Sequence, residues 1–214
     1  MNEQQQSLQD IQKIKQMMER SSRFISLSGL SGIAAGTCAL IGAWLANSII
    51  TDNGGPSGYR EAIVKGIGSE TLQDFMGHKL FQVAAITFCA ALLFSFLFTY
   101  LRSKKNMIPL WGSTSKRLLI NVAVPMFAGA IYLFKQMQFG NYGLIAPGCL
   151  IFYGLALVNA SKYTLGEIRY LGYCQIVIGI INCWFVGYGL YFWAMGFGVL
   201  HIIYGLVMWY RYER

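Results

Sequence analysis

The sequence predicts an all-α, polytopic membrane protein: six transmembrane helices in one bundle, with both chain ends on the cytoplasmic side. Three observations predict it. Apolar runs of roughly 20 residues, long enough to cross a bilayer as a helix, recur along the 214-residue chain. Lys and Arg residues collect in alternate loops between those runs. Finally, 55% of residues are hydrophobic and only 12% charged, with a mean hydropathy of +0.46. Soluble domains carry roughly 25% charged residues, so this chain cannot clothe a surface facing water. Its length fits one bundle rather than several domains.

Residues 1–23 are polar and form the first unit, a cytoplasmic amphipathic helix; residues 24–214 form the bundle. Ser7 and Asp10 resemble a capping box. After it Leu8, Ile11, Ile14, Met17 and Met18 recur at helical spacing, a narrow stripe that suits a helix lying on headgroups beside Lys13, Lys15, Arg20 and Arg23. A docking helix for a partner or a second copy is the alternative. The stripe is short for a coiled coil.

The first span is expected from about Phe24 to Ile50, too long for a signal-peptide core and therefore an uncleaved anchor. Thr51 to Gly58 reads as turn material, with a short helix before Ser69. The second span covers about Leu80 to Leu101. A basic loop with Arg102, Lys104, Lys105, Lys116 and Arg117 follows. The third covers about Leu118 to Leu133, with Lys135 near its end. The fourth, about Tyr142 to Val158, is the short one, and Pro147 suits its first turn. Thr164 and Glu167 form a capping box for the fifth span, which runs to about Phe185. Gly187-Tyr188-Gly189 makes a tight hairpin, and the sixth span runs to about Tyr210.

Basic residues set the orientation. Of the 17 Lys and Arg residues, only Arg60, Lys65, Lys79 and Lys135 fall on one side, and all the others fall on the opposite one. Short cytoplasmic loops hold such an excess, so the N-terminus and C-terminus are both expected inside. Aromatic residues agree: Trp184, Phe185, Tyr188, Tyr191, Phe192 and Trp193 crowd the last outer hairpin, where amphipathic rings favour the headgroup layer. The net charge of +8 is spread over membrane-flanking loops, and contact with anionic lipid explains it better than nucleic acid does.

Two seams stand out within the spans. Gly29, Gly32, Gly36, Ala39, Ala43 and Ala46 step by three and four, a face on which another helix backbone approaches closely; a partner helix in the same chain is the simpler expectation, a second copy the sharper one. Gly172, Gln175, Gly179 and Asn182 share a face of the fifth span, and Gly198, His201, Gly205 and Met208 share one of the sixth. With Tyr188 as hairpin centre, Gln175 and His201 fall at similar depth. A Gln175–His201 hydrogen bond is expected, because a polar group in hydrocarbon needs a partner. An intramembrane ionisable residue is also a candidate site, so His201, Gln175 and Asn182 form the candidate polar seam. Arg102, Lys104, Lys105, Lys116 and Arg117 are the candidate contacts to anionic lipid.

Other chemistries find less support. The two histidines, His78 and His201, differ in depth by roughly 16 Å, too far for one haem iron. No Asp or Glu lies inside a span, no serine sits in a G-x-S-x-G elbow, and Lys135 can snorkel to the interface. The five cysteines lie in apolar runs without metal-ligand spacing and behave as small apolar residues. No catalytic residue, cofactor or metal is expected.

MMERSSRFISLSGLSGI (17–33), LVNASKYTLGEIRYLGY (157–173) and WAMGFGVLHIIYGLVMWYRYER (193–214) together resemble an uncharacterised family of small bacterial multi-helix inner-membrane proteins. The resemblance implies a bacterial inner membrane and no activity, so no functional residue carries over. The expected function is non-enzymatic, by association with membrane lipids and with a protein partner or homo-oligomer, and without nucleic acid. A small-solute transporter or channel with its site at the polar seam is the alternative; a cavity reaching His201 would favour it, and a filled bundle the first reading.

Overall fold

The computed structural model describes residues 29–52, 55–65, 79–105 and 112–212. The expected helix of residues 1–23, with its Ser7–Asp10 box, lies outside them, as does His78. Every regular element among the described residues is helical: α1 (Gly29–Asp52), α2 (Gly55–Lys65), α3 (Lys79–Lys105), α4 (Ser113–Gln138), a single 3₁₀ turn (Tyr142–Leu144), α5 (Ile145–Ala160), α6 (Ile168–Trp184), α7 (Gly189–Trp193), a π-helical segment (Ala194–Leu200) and α8 (His201–Tyr212). α7, the π segment and α8 form one continuous rod, the last rod.

Among the described residues five helical stretches are long and apolar enough to cross a membrane: α1, α3, α4, Tyr142–Ala160 and the last rod. α5 is as short as expected, with 16 residues, or 19 counting the 3₁₀ turn before it; α6, expected as a full span, has only 17. It rises roughly 25 Å at 1.5 Å per residue. Two further expectations need correction. Gly55–Lys65 is helical almost from the end of α1, so Pro56 and Gly58 lie in a first helical turn, where proline costs little, rather than in an open loop. α6 begins at Ile168 with Glu167 as its N-cap, later than a Thr164 cap would place it, and Ile168 N–H donates to the Leu165 carbonyl at 3.2 Å in the turn before it.

Neighbouring helices pack through small residues, and the paired positions give their directions. α1 runs antiparallel to α3, with Gly42 against Thr87 and Ser95 Oγ donating to the Ser31 carbonyl at 3.2 Å. It also runs antiparallel to the last rod, with Gly29 against Trp209, Gly32 against Gly205 and Gly36 against Gly198. α4 and α5 are antiparallel through Gly129–Phe152 and Leu133–Gly148, and α5 and α6 through Gly154–Gly172 and Pro147–Gly179. α5 and the last rod run parallel, pairing Ala146 with Gly189, Leu150 with Gly196 and Tyr153 with His201. The last rod therefore sits between α1 and the α5–α6 pair, with α3 and α4 at the flanks. The seam of small residues on α1 meets helices of its own chain.

Two ends of the bundle follow from these directions. Asp52, Lys79, Gln138 and Gly187 gather at one; Gly29, Lys105, Ser113, Ala160 and Tyr212 gather at the other. At the first end Arg60 Nη1 donates to the Tyr188 hydroxyl at 3.0 Å, its guanidinium 4.8 Å above that ring. Gly187 has φ of +90° and lies against the Arg60 side chain, so any Cβ there would be both strained and crowded. At the second end Glu167 accepts from Tyr212 Oη at 2.6 Å and pairs with Arg211 at 3.1 Å, joining the start of α6 to the end of α8.

Large apolar side chains point outward along the flanks: Ile86 is 69% exposed, Leu93 70% and Phe127 69%. In water such a surface would drive aggregation; in lipid it is solvated. Stability in lipid then rests on close packing. A Cβ at Gly205 would lie 2.6 Å from both the Gly29 carbonyl oxygen and the Ile33 nitrogen, backbone atoms that no rotamer change moves. Gly205→Leu should lower unfolding free energy by about 2 kcal/mol or more, as overpacking does. Gly58→Ala, with open space around it, should be neutral; denaturant titration in detergent micelles measures both.

Candidate functional site

The polar seam is built around one backbone carbonyl. Gln175 Nε2 donates to the Gly196 carbonyl oxygen at 2.7 Å, and His201 Nδ1 lies 3.0 Å from the same oxygen. The Tyr153 hydroxyl lies 2.8 Å from His201 Nε2. A neutral imidazole has one N–H and one acceptor nitrogen. With Nδ1–H donating to Gly196, Nε2 accepts from Tyr153, and both ring nitrogens are satisfied. Gln175 Nε2 is also 3.5 Å from His201 Nδ1, but two donors then face each other. The expected Gln175–His201 contact is present but long, and the shorter bonds of both side chains go to a shared acceptor, the Gly196 carbonyl. Their common depth holds.

The π segment makes this possible. In an α-helix, residues five apart lie roughly 140° round the axis from one another, so the His201 ring would point away from the Gly196 carbonyl. Widening the turns to an i→i+5 pattern brings positions 196 and 201 onto one side, while the His201 backbone N–H is directed to Gly198. Gly196 lies against Leu150 and Gln175, and Gly198 lies against Leu40 of α1. The expected common face of Gly198, His201, Gly205 and Met208 is therefore split: Gly198 and Gly205 face α1, and His201 faces α5 and α6. All four are buried.

Asn182 does not join the cluster. It lies two turns along α6 from Gln175, fully buried, and its Nδ2 donates to the Phe185 carbonyl at 3.3 Å, closing the end of α6. Asn182 Oδ1, Gln175 Oε1 and Tyr204 Oη are buried without a hydrogen-bond partner. Tyr153 is the member that sequence reasoning missed. Its signal was a phenol in the middle of an apolar span, which needs a partner when buried. Aromatic rings shield the cluster: Phe197 lies 5.2 Å from Tyr153 and 6.0 Å from His201, and Trp193 lies 5.4 Å from Phe197.

A cavity of about 330 Å³ opens at the end of the bundle that carries Gly187. Gly42 and Ala46 of α1, Thr87 of α3, Cys149 of α5, and Gly189 and Trp193 of the last rod line it. It stops at Trp193; neither His201, Gln175 nor Asn182 lines it. The polar seam is buried and lies outside the wall of this cavity.

The candidate lipid contacts lie at the opposite end. Arg102, Lys104 and Lys105 occupy the last turn of α3, where cations complement the helix dipole. Lys116 and Arg117 lie in the first turns of α4, where they oppose it. Lys104, Lys105, Lys116 and Arg117 are exposed, and Arg102 is half-buried. No group of His, Cys, Asp and Glu suited to a metal occurs among the described residues.

A double-mutant cycle on Tyr153→Phe and His201→Ala should give a coupling of roughly 0.5–1.5 kcal/mol, the scale of interhelical hydrogen bonds in bilayers. The corresponding Gln175→Leu and His201→Ala cycle should give a smaller one, because those side chains meet through Gly196. Unfolding titrations of the single and double variants measure both.

No family model, no curated protein and no solved structure matches this chain.

Proposed function

We propose that this chain is a six-span protein of a bacterial inner membrane that acts without catalysis, by associating with lipids and a protein partner through its basic cytoplasmic end. α6 serves as the remaining span: it packs along α5 and is joined to the last rod by a tight hairpin. With six spans both chain ends share a side.

The observation that carries the reading is the placement of charge. Arg102, Lys104, Lys105, Lys116, Arg117, Lys162, Arg169 and Arg211 all belong to the end that holds Lys105 and Tyr212, while Arg60, Lys79 and Lys135 belong to the other. Lys116 and Arg117 gain nothing from the start of α4, where the dipole is positive. A charged leaflet or an acidic partner compensates them, and that side is the cytoplasmic one. The partners of both His201 ring nitrogens support a structural role for this residue.

One observation favours the transport alternative. Gln175 Oε1, Asn182 Oδ1 and Tyr204 Oη are buried and unpartnered, and π turns frequently mark functional sites. Under that reading His201→Ala abolishes solute flux into vesicles while the bundle stays folded; under ours it lowers stability alone.

Two measurements test the association reading. In a cysteine-free background, a cysteine at Ser57 should be labelled in intact cells by a membrane-impermeant reagent; labelling only after permeabilisation would reverse the orientation. Replacing Lys104, Lys105, Lys116 and Arg117 with Gln should weaken affinity for anionic vesicles by about 1 kcal/mol per charge. Equal affinity of the unaltered and substituted chains would remove the role given to that end.

A further inference from the structure

The cavity beside Trp193 has a chemistry of its own. Its wall combines glycine, alanine and larger apolar side chains with the neutral polar residues Tyr59, Thr87, Tyr142, Cys149 and Trp193. Among the described residues no carboxylate, amine, guanidinium or imidazole belongs to it. Burial raises the Tyr59 hydroxyl above its ordinary range, so that group stays neutral. A charged group would lose its water there without a counter-charge, whereas a hydrocarbon chain gains about 25 cal/mol for each Å² removed from water. At about 330 Å³ the space falls in the range of small-molecule sites, roughly 300–1,000 Å³.

The mouth is different. Arg60 follows the lining residue Tyr59 and rests on Gly187, itself part of the wall. Lys79 precedes the lining residue Leu80 and is exposed. Asp52, two residues past the lining residue Ile50, is the described carboxylate nearby. Arg60 is held in place by Tyr188, which takes one N–H and stacks beneath the guanidinium. A guanidinium has five N–H donors, and its planar fork matches phosphate.

We propose that this cavity holds one acyl chain of an anionic phospholipid, with the lipid phosphate against the Arg60 guanidinium and Lys79 beside it. The match is between an uncharged, chain-sized interior and a preorganised cation at its mouth, at the end of the bundle where headgroups lie. A neutral lipid or an isoprenoid satisfies the interior and leaves the mouth unused. The site rests on the membrane-spanning reading and is independent of the basic end described above, because it lies at the opposite end of the bundle.

Trp193 reports on the cavity directly. Trp44, Trp184 and Trp209 are exposed; with these and Trp111 changed to Phe, the full chain keeps Trp193 as its single indole. The protein is reconstituted into phosphatidylcholine bilayers containing a small fraction of brominated phosphatidylglycerol or brominated phosphatidylcholine. Brominated phosphatidylglycerol should quench Trp193 at a several-fold lower mole fraction, and unlabelled phosphatidylglycerol should relieve that quenching. Arg60→Gln should abolish the difference between the two lipids, and Ala46→Phe, which fills the cavity, should reduce quenching by both. Equal quenching by the two lipids in the Trp193-only chain overturns the proposal without recourse to any variant at the site. So does a preference that survives Arg60→Gln, or quenching unchanged by Ala46→Phe in a chain with an unaltered melting curve. Labelling at Ser57 in the same vesicles separates the outcomes: an absent lipid preference with intact topology sinks the cavity site alone, whereas altered topology sinks the six-span reading.

Discussion

Close approach of helix backbones is the constraint on which this bundle depends. Lipid tails are as apolar as leucine side chains, so burying one against another helix yields little, and association rests on contact, hydrogen bonds and lipid entropy. The last rod meets that requirement on two sides at once. Gly198 and Gly205 let it lie against Gly29, Gly32 and Gly36 of α1, and Gly196 lets it lie against Leu150 and Gln175 of α5 and α6. A methyl group at Gly29, Gly36 or Gly205 would meet backbone atoms at under 3 Å. If α1 were pushed away from the last rod, α1 and α3 would have little to hold them to α4, α5 and α6.

The same closeness produces the polar seam. A carbonyl with two lone pairs, turned out of a π segment, faces the side chains of Gln175 and His201 because Gly196 keeps the path clear. Tyr153 then completes the imidazole from a helix that runs parallel to it. Each polar group is held by a different element, so the cluster fixes the rotation and depth of three helices at one point. Packing alone sets distance; the directional bonds set register. The cavity lies above this point because Trp193 and Phe197 close the space between α5 and the last rod before it reaches His201.

The two ends differ in electrostatic character for a physical reason. One carries cations that a helix dipole does not explain, as at Lys116 and Arg117. The other carries fewer basic residues among the described ones, and of these Arg60 is fixed by an aromatic ring. The Glu167–Arg211 pair, with Arg211 exposed and Glu167 half-buried, contributes about 1 kcal/mol or less, so it marks where α6 and α8 meet more than it holds them. Membrane position and packing, rather than ion pairs, stabilise the fold.

Much of the architecture was legible in the amino-acid order. Apolar length placed five long helical stretches within a few residues, because spanning a bilayer demands about 20 residues whatever they pack against. The small-residue face of α1, the tight turn at Gly187 and the common depth of Gln175 and His201 could be read from spacing, since each depends on local geometry. The helical start at Gly55 and the start of α6 could not, because turn propensity at Pro56 and Gly58 yields to a helical first turn and residues 165–167 run as turns before α6 begins at Ile168. The tertiary structure alone decided the partner of His201. A uniform period of 3.6 residues places Gly198 and His201 on one face, and only the widening of the helix between two close neighbours turns the imidazole toward Tyr153 and Gly196. Sequence carries the period of an undisturbed helix; neighbours packed on both sides decide where that period breaks.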